Sequence, residues 1–131
     1  KKIIGDDLAV SEIPEFWNDR MEQLLGVRPT NDSQGVLQDT HWSSGLFGYF
    51  PTYTLGNLLS AIIASHMRKD LKDYEENIRK GDFKPIREWL RIKIHQYGSI
   101  YAPKVLLKNT FNEGYNPDYF VAYLENKYLG A

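Results

Sequence analysis

The 131-residue sequence predicts an all-α fold, and three observations support this prediction. Apolar residues recur at three- and four-residue steps over several long segments, which is the spacing of one helix face. Proline lies near the start of these segments and glycine near their ends, as is usual around helices. No segment alternates apolar and polar residues in the way that indicates a half-buried strand. We therefore expect about five helices and one long loop, forming a single helical region over residues 1–131.

The chain is expected to begin inside a secondary-structure element. Residues 1–5 read Lys-Lys-Ile-Ile-Gly, with no initiator methionine, and resemble the last helical turn before a glycine. This start suggests a piece of a longer protein. The first complete helix is predicted from an N-cap at Ser11 and from Pro14 in its first turn, and it should end at Gly26. Its apolar face consists of Ile13, Phe16, Trp17, Met21, Leu24 and Leu25.

A long connection is predicted after this helix. Residues 27–50 are rich in glycine, serine, asparagine and aspartate, and they are expected to be irregular, with a short extended piece at Val36 and Leu37. Connections longer than about 12 to 15 residues are uncommon in compact domains and are often functional. This segment is therefore a candidate functional region.

Four more helices follow in the prediction, each opened by a proline. His66 lies on the apolar face of the first of them and is expected to be a buried, hydrogen-bonded histidine. His95 is expected near a helix C-terminus, where the helix dipole favours a histidine. The four helices are predicted from Pro51 to Arg79, from Pro85 to Gly98, from Pro103 to about Gly114, and from Asn116 and Pro117 onwards.

Composition argues against several classes of function. The chain has 16 basic and 17 acidic residues and a net charge of -1, and its basic residues between Lys84 and Lys93 are mixed with acidic ones. We read this stretch as a solvated helix face, so no nucleic-acid partner is expected. No apolar run is long enough for a membrane span, and no signal peptide is visible. The absence of cysteine fits a reducing compartment, and a cytoplasmic location is predicted.

The polar residues of the loop are grouped around one histidine. Gln38 offers a donor and an acceptor, Asp39 an acceptor, and His41 either. In an extended chain, residues two apart share a face, where the carboxylate of Asp39 would fix the tautomer of the His41 imidazole. Trp42 would supply a flat apolar wall. A structural role for His41 stays open at this point, because loops with glycine and aromatic residues often only fill a core.

Two tyrosines accompany this group. Tyr49 and Tyr53 are four residues apart, and they would lie near one another if the segment from Phe50 begins the long helix. Phenols and an imidazole at a helix N-terminus suit the binding of a carboxylate or of an oxyanion that forms at a carbonyl. A packing role for both tyrosines remains the alternative. The sequence contains no His-Glu-x-x-His and no other metal-ligand spacing, so no self-contained metal site is expected.

The loop resembles the signature of the M32 family of zinc metallocarboxypeptidases, which reads Gly-x-x-Gln-Asp-x-His-Trp. The resemblance extends to three other segments, namely the helix start at residues 13–18, residues 48–57, and the C-terminal part with His95-x-x-Gly98, Pro103 and residues 123–128. Four ordered matches at the proper spacing are hard to obtain by chance. The residues that match the signature itself are Gly35, Gln38, Asp39, His41 and Trp42.

The resemblance implies the C-terminal part of a longer, almost wholly helical enzyme with a deep, neurolysin-like cleft. Such enzymes release amino acids from peptide C-termini. Their zinc is held by a His-Glu-x-x-His motif and a later glutamate, which precede the matched region. The resemblance thus implies a cofactor, zinc or alternatively cobalt, for the full-length enzyme and none for this chain alone, which is expected to be inactive. The implied partners are the peptide C-terminus, the N-terminal part of the enzyme and a second copy in a homodimer.

The resemblance also assigns roles within the loop. His41 would hydrogen-bond the substrate or the tetrahedral intermediate. Tyr53, with Tyr49 as the close competitor, would donate a phenolic hydrogen to the developing oxyanion, while Gln38 and Asp39 would orient the loop. The rival interpretation is a non-catalytic helical interaction module. Complete burial of His41 and of both tyrosines would favour the module.

Overall fold

The computed structural model describes residues 2–130, and Lys1 and Ala131 lie outside this range. Between these limits it contains seven α-helices, four short 3-10 helices and no strand, so the prediction of an all-α fold is confirmed. The α-helices are α1 (Lys2–Gly5), α2 (Ile13–Leu25), α3 (Thr52–Asp70), α4 (Tyr74–Lys80), α5 (Lys84–Lys93), α6 (Pro103–Phe111) and α7 (Asp118–Tyr128).

The number of helices exceeds the predicted five for two reasons. The turn expected at the start of the chain is present as α1, and the long predicted helix is divided into α3 and α4. The division falls at Leu71, whose backbone is extended (φ -105°, ψ 96°). Beside it, Asp70 accepts a hydrogen bond from the indole of Trp89 (2.8 Å). Leu71, Tyr74 and Ile78 keep helical spacing across the break, and this spacing made the two helices look like one.

Glycine and proline bound the helices largely as expected. Gly26 and Gly81 end α2 and α4 in the left-handed conformation, with φ values of 69° and 71°. Pro14 and Pro103 lie in the first turns of α2 and α6. The predicted N-cap at Ser11 was wrong. Ser11 belongs to a 3-10 turn (Val10–Glu12) that leads directly into α2.

The extended piece predicted at Val36 and Leu37 was also wrong, because Val36–Gln38 forms a 3-10 helix. Gly35 precedes it with φ -109° and ψ -121°. A Cβ atom on Gly35 would lie 3.1 Å from Oδ1 of Asn18 and 3.2 Å from the carbonyl oxygen of Asn31. A side chain at this position would therefore have to displace Asn18 of α2 or the loop backbone by a few tenths of an ångström.

The described chain divides into two compact units, one that ends at Phe50 and one that begins at Pro51. In the first unit Gly35, Val36 and Asp39 are buried beside α2. In the second, α3 packs along α7, and the buried apolar side chains are Ile62, Met67, Trp89 and Leu107. That residues 1–131 form one region of a larger peptidase domain stays a prediction.

Candidate functional site

The structure brings Asp39 and His41 together. Asp39 is the N-cap of a 3-10 helix (Thr40–Ser44), and its Oδ1 accepts hydrogen bonds from the backbone N–H of His41 (3.2 Å) and from Nδ1 of the imidazole (2.9 Å). The residues meet because the carboxylate caps the turn that carries the histidine, and not because the chain is extended. Asp39 is 8% exposed, whereas the His41 side chain keeps 19% of its surface exposed.

Aromatic rings surround the imidazole. The ring of Tyr49 lies 4.8 Å from that of His41 at a tilt of 38°, and Phe50 meets it edge to face at 5.5 Å. These contacts and the carboxylate restrict the rotation of the ring. The imidazole is therefore held in one orientation while part of its surface reaches solvent.

Trp42 connects the loop to α2. Its indole meets that of Trp17 edge to face at 6.1 Å and stacks on Phe47 at 5.7 Å. Trp42 is thus packed between α2 and Phe47, and its role as the apolar wall of a site stays a prediction. The Nε1 atom of Trp17 is buried and has no hydrogen-bond partner among the described residues.

The side chain of Gln38 forms a hydrogen bond within the loop. Its Nε2 donates a hydrogen bond to the carbonyl oxygen of Ser33, which closes the turn that precedes Asp39. The side chain thus supports the local backbone, and its role in orienting a site stays a prediction.

The two tyrosines lie on different elements. Tyr53 is in the first turn of α3, whereas Tyr49 precedes that helix and packs on His41. Both are exposed, Tyr49 by 45% and Tyr53 by 56%. The assignment of one phenol to the chemistry stays a prediction.

One anchor of the loop was missed in the sequence. Arg28, just after α2, donates hydrogen bonds to Asp19 (2.8 Å), Glu22 (3.0 Å) and Glu15 on one face of that helix. The bonds to Asp19 and Glu22 are the main cause that raises the pKa of the Arg28 guanidinium above its usual range. The signal was present, because three carboxylates spaced four and three residues apart lie on one helix face ahead of Arg28.

The residues present do not fit a metal ion. Residues 2–130 contain no group of three or more histidine, cysteine, aspartate or glutamate side chains that could hold one. The imidazole of His41 is paired with Asp39, and that of His66 with Glu113.

The sequence pattern of the Carboxypeptidase Taq (M32) metallopeptidases matches residues 1–128. The chain belongs to the M32 metallopeptidase family. The resemblance seen in the loop motif is thereby confirmed over almost the entire sequence. As members of a metallopeptidase family, M32 enzymes depend on a metal ion.

Several M32 proteins are similar to this chain. It is 50% identical over 127 residues to thermostable carboxypeptidase 1 of Pyrococcus furiosus and 38% identical over 128 residues to carboxypeptidase 1 of Bacillus subtilis. These matches include 97% and 98% of this chain but 26% of each relative, so the chain spans about a quarter of their length.

Solved structures agree with the sequence comparison. The structure of the Pyrococcus furiosus carboxypeptidase superposes with a TM-score of 0.90 over 97% of this chain and 26% of that one. Metallocarboxypeptidase 1 of Trypanosoma cruzi, at 38% identity, superposes with a TM-score of 0.86 over 97% of this chain and 27% of its own. The fold is thus that of part of an M32 carboxypeptidase. Among the described residues, no helix has the length and apolar character that a membrane crossing requires.

Proposed function

We propose that this chain forms the substrate-side wall of the cleft in a zinc-dependent carboxypeptidase that removes amino acids from peptide C-termini. The observation that carries the proposal is the Asp39–His41 pair in the M32 signature, with its imidazole held by a buried carboxylate and partly exposed. Zinc, or cobalt in its place, would be bound by residues outside this sequence. The chain alone is then expected to be inactive.

The roles within the wall follow from side-chain chemistry. His41 would hydrogen-bond the bound peptide or the tetrahedral intermediate, Asp39 would hold its ring, and Trp42 would form a wall beside it. Gln38 would keep the turn closed. Tyr53, or Tyr49 as its competitor, would donate a phenolic hydrogen to the developing oxyanion. Both phenols are exposed enough to meet a ligand.

The alternative, a non-catalytic interaction module, is less well supported. That interpretation would be favoured by complete burial of the imidazole and of both phenols, whereas all three side chains retain exposed surface. A partly exposed imidazole with a buried carboxylate partner has a clear use in binding a ligand and little use in a surface that only packs.

The proposed partners are the remainder of the enzyme and a second copy. On α2, Leu24 and Leu25 are 74% and 66% exposed, and with Ile3, Met21 and Trp42 they border an apolar groove. Apolar surface of this kind favours association. Light scattering is expected to show the 131-residue chain as a dimer, and a clean monomer would count against this part of the proposal. A cytoplasmic location completes the proposal and rests on the lack of cysteine.

The test uses a hybrid enzyme in which this chain replaces the matching quarter of the Pyrococcus furiosus carboxypeptidase. The hybrid is expected to release C-terminal amino acids, and the isolated chain with added zinc or cobalt is not. His41→Ala should lower kcat/KM of the hybrid without changing its metal content. His95→Ala, at an exposed position, is the matched control. Turnover by the isolated chain, or an unchanged kcat/KM of the hybrid with His41→Ala, would contradict the proposal.

A further inference from the structure

One arginine fastens the start of the loop to α2. Nη1 of Arg28 donates hydrogen bonds to Asp19 (2.8 Å) and Glu22 (3.0 Å), and Nη2 donates to Glu15. The three carboxylates follow one another at steps of four and three residues, which places them on one face of the helix. A guanidinium presents its donors in a rigid, planar fork, so binding three carboxylates at once fixes its position closely. A charge network of this kind orders a segment better than an isolated exposed ion pair does.

A series of hydrogen-bonded turns leads from this arginine towards the histidine. The backbone N–H groups of Gly35 and Leu37 both donate to the carbonyl oxygen of Asp32, at 3.1 and 3.0 Å. The N–H of Gln38 then donates to the carbonyl oxygen of Gly35 (3.0 Å). Because each turn shares a residue with the next, a displacement at the start of the series is passed along it. The carboxylate that holds His41 follows directly after the last residue of the series.

The middle of this series rests against α2. A Cβ atom on Gly35 would lie 3.1 Å from Oδ1 of Asn18 and 3.3 Å from Cβ of Pro29, the residue after Arg28. Asp39, which follows the series, is 8% exposed. Close packing at both places leaves the segment little room to move independently of the arginine. The attachment of Arg28 to α2 therefore constrains the position of Asp39.

A second attachment to α2 lies beyond the histidine. Trp42 meets Trp17 edge to face, with the ring centroids 6.1 Å apart. The 3-10 turn Thr40–Ser44, which carries His41, thus lies between two attachments to the same helix. Loss of the Arg28 network would leave the tryptophan contact in place. The turn is then expected to shift or loosen while the unit stays folded.

We propose that Arg28 is a positioning residue of the peptidase, which sets the place of the His41 imidazole in the cleft by fastening the loop to α2. This inference rests on the proposed function. Arg28 acts through the turns that lead to His41 and not on the substrate. Such a role matters because misplacing a binding or reacting group by about 1 Å can lower a rate about 10²-fold.

The first test measures the loop and does not require catalysis. In the 131-residue protein, Arg28→Gln removes the charge and the fork of donors. Hydrogen exchange of the backbone amides of Leu37, Gln38 and His41 is expected to become about three- to tenfold faster, because local opening of the turns becomes easier. Urea unfolding of the variant checks that the protein stays folded. Exchange rates equal to those of the parent protein would overturn the inference.

Arg91→Gln is the matched control. Arg91 donates hydrogen bonds to Glu88 at 2.7 to 3.1 Å within α5, in the second unit, and both side chains are exposed. This variant loses the same charge and also breaks an arginine–glutamate pair. It should leave the exchange rates of the loop amides unchanged. Equal acceleration in the two variants would show an effect of net charge and would overturn the inference.

The second test asks whether Arg28 acts through His41. In the hybrid enzyme, Arg28→Gln is expected to lower kcat/KM about tenfold, and Arg28→Lys, which keeps the charge but lacks the fork, should lose less. When the hybrid already carries His41→Ala, Arg28→Gln should change kcat/KM by less than about twofold, because residues that act together are not additive. A general loss of structure would lower kcat/KM equally in both backgrounds. Arg91→Gln should be neutral in both.

The outcomes separate the two claims. Equal losses with and without His41→Ala would overturn the positioning role while leaving the peptidase assignment in place. A hybrid without any peptidase activity would overturn the proposed function and, with it, the role of Arg28 in the cleft. Hydrogen exchange would in that case still decide whether Arg28 fastens the loop.

Discussion

The two units of the molecule each contain a histidine paired with a carboxylate, and the pairs are built in different ways. Asp39 and His41 are two residues apart and meet within a single turn. His66 and Glu113 are 47 positions apart and connect the C-terminal part of α3 to the segment between α6 and α7. The first pair is fixed by local backbone geometry, whereas the second exists only when the helices have packed. A short-range pair can orient a ring in a loop, and a long-range pair can brace a helix.

The two carboxylates also hold opposite nitrogens. Asp39 contacts Nδ1, near the backbone, and Glu113 contacts Nε2, at the far end of the ring. The ring of His66 is further confined by Phe111, stacked on it at 4.2 Å. Glu113 is in turn bonded to the Tyr119 hydroxyl at 3.1 and 3.2 Å. His66 is thus held by a carboxylate from a distant segment and by a stacked ring, whereas His41 is held by a carboxylate of its own turn and by the neighbouring rings of Tyr49 and Phe50.

The largest expected effect concerns the phenol that is proposed to donate to the oxyanion. In the hybrid enzyme, Tyr53→Phe is expected to lower kcat about 10²- to 10³-fold, because loss of one oxyanion donor typically costs this much. Tyr49→Phe is the matched comparison, since Tyr49 packs on the imidazole ring and Phe keeps that packing. Steady-state kinetics on one peptide substrate decides between them. If Tyr49→Phe shows the larger loss, the roles are exchanged, and if neither loses activity, no phenol serves the oxyanion.

Disrupting the His66–Glu113 pair should lower the free energy of unfolding. His66→Ala is expected to destabilise the protein by about 2 kcal/mol, since it leaves the partly buried Glu113 without one donor and removes the stack on Phe111. Urea unfolding measures the change in the free energy of unfolding. Glu113→Gln keeps the shape of the side chain and is expected to destabilise the protein less than His66→Ala. An unchanged free energy of unfolding in His66→Ala would contradict the bracing role of the His66–Glu113 pair.

A smaller loss is expected where the loop approaches α2. Gly35→Ala places a Cβ atom 3.1 Å from Oδ1 of Asn18 and 3.2 Å from a backbone oxygen, and it should cost about 1–2 kcal/mol. Gly56→Ala is the control, because a Cβ there meets nothing within 4 Å and alanine favours the interior of α3. Equal stabilities of the two variants in urea would show that the close approach is unimportant.

The smallest effect is a pH dependence in the second unit. Burial and, next, the hydrogen bond to Glu113 raise the pKa of Tyr119 above 10. Its contribution to stability is thus complete below pH 10 and is lost as the pH rises through the raised pKa. The stability difference between the parent and Tyr119→Phe should be constant from pH 7 to 9.5 and shrink above pH 10. A difference that stays constant to pH 11 would rule out this linkage.

The sequence predicted what is encoded locally. Helix ends at Gly26 and Gly81 follow from single residues that favour positive φ. The Asp39–His41 contact follows from a spacing of two, although the reason expected for it, an extended chain, was wrong. The loop motif also identified the family correctly.

What depends on packing was not predicted. The break at Leu71 is hidden by apolar spacing that continues across it, and Asp70 turns out to bond Trp89, 19 residues away. The pairing of His66 with Glu113 likewise needs two distant segments to meet. Periodicity assigned His66 to an apolar face but could not indicate which acidic group it would find there.

A single oxygen atom of Asp39 serves two donors, and this sharing constrains any redesign of the segment. A replacement chosen to retune the imidazole also alters the turn that carries it, so electronic and geometric effects arrive together. The effects of a substitution at position 39 on the imidazole and on the turn therefore cannot be separated. Substitution of a ring that flanks the imidazole, Tyr49 or Phe50, leaves the shared acceptor in place and is better suited to engineering selectivity.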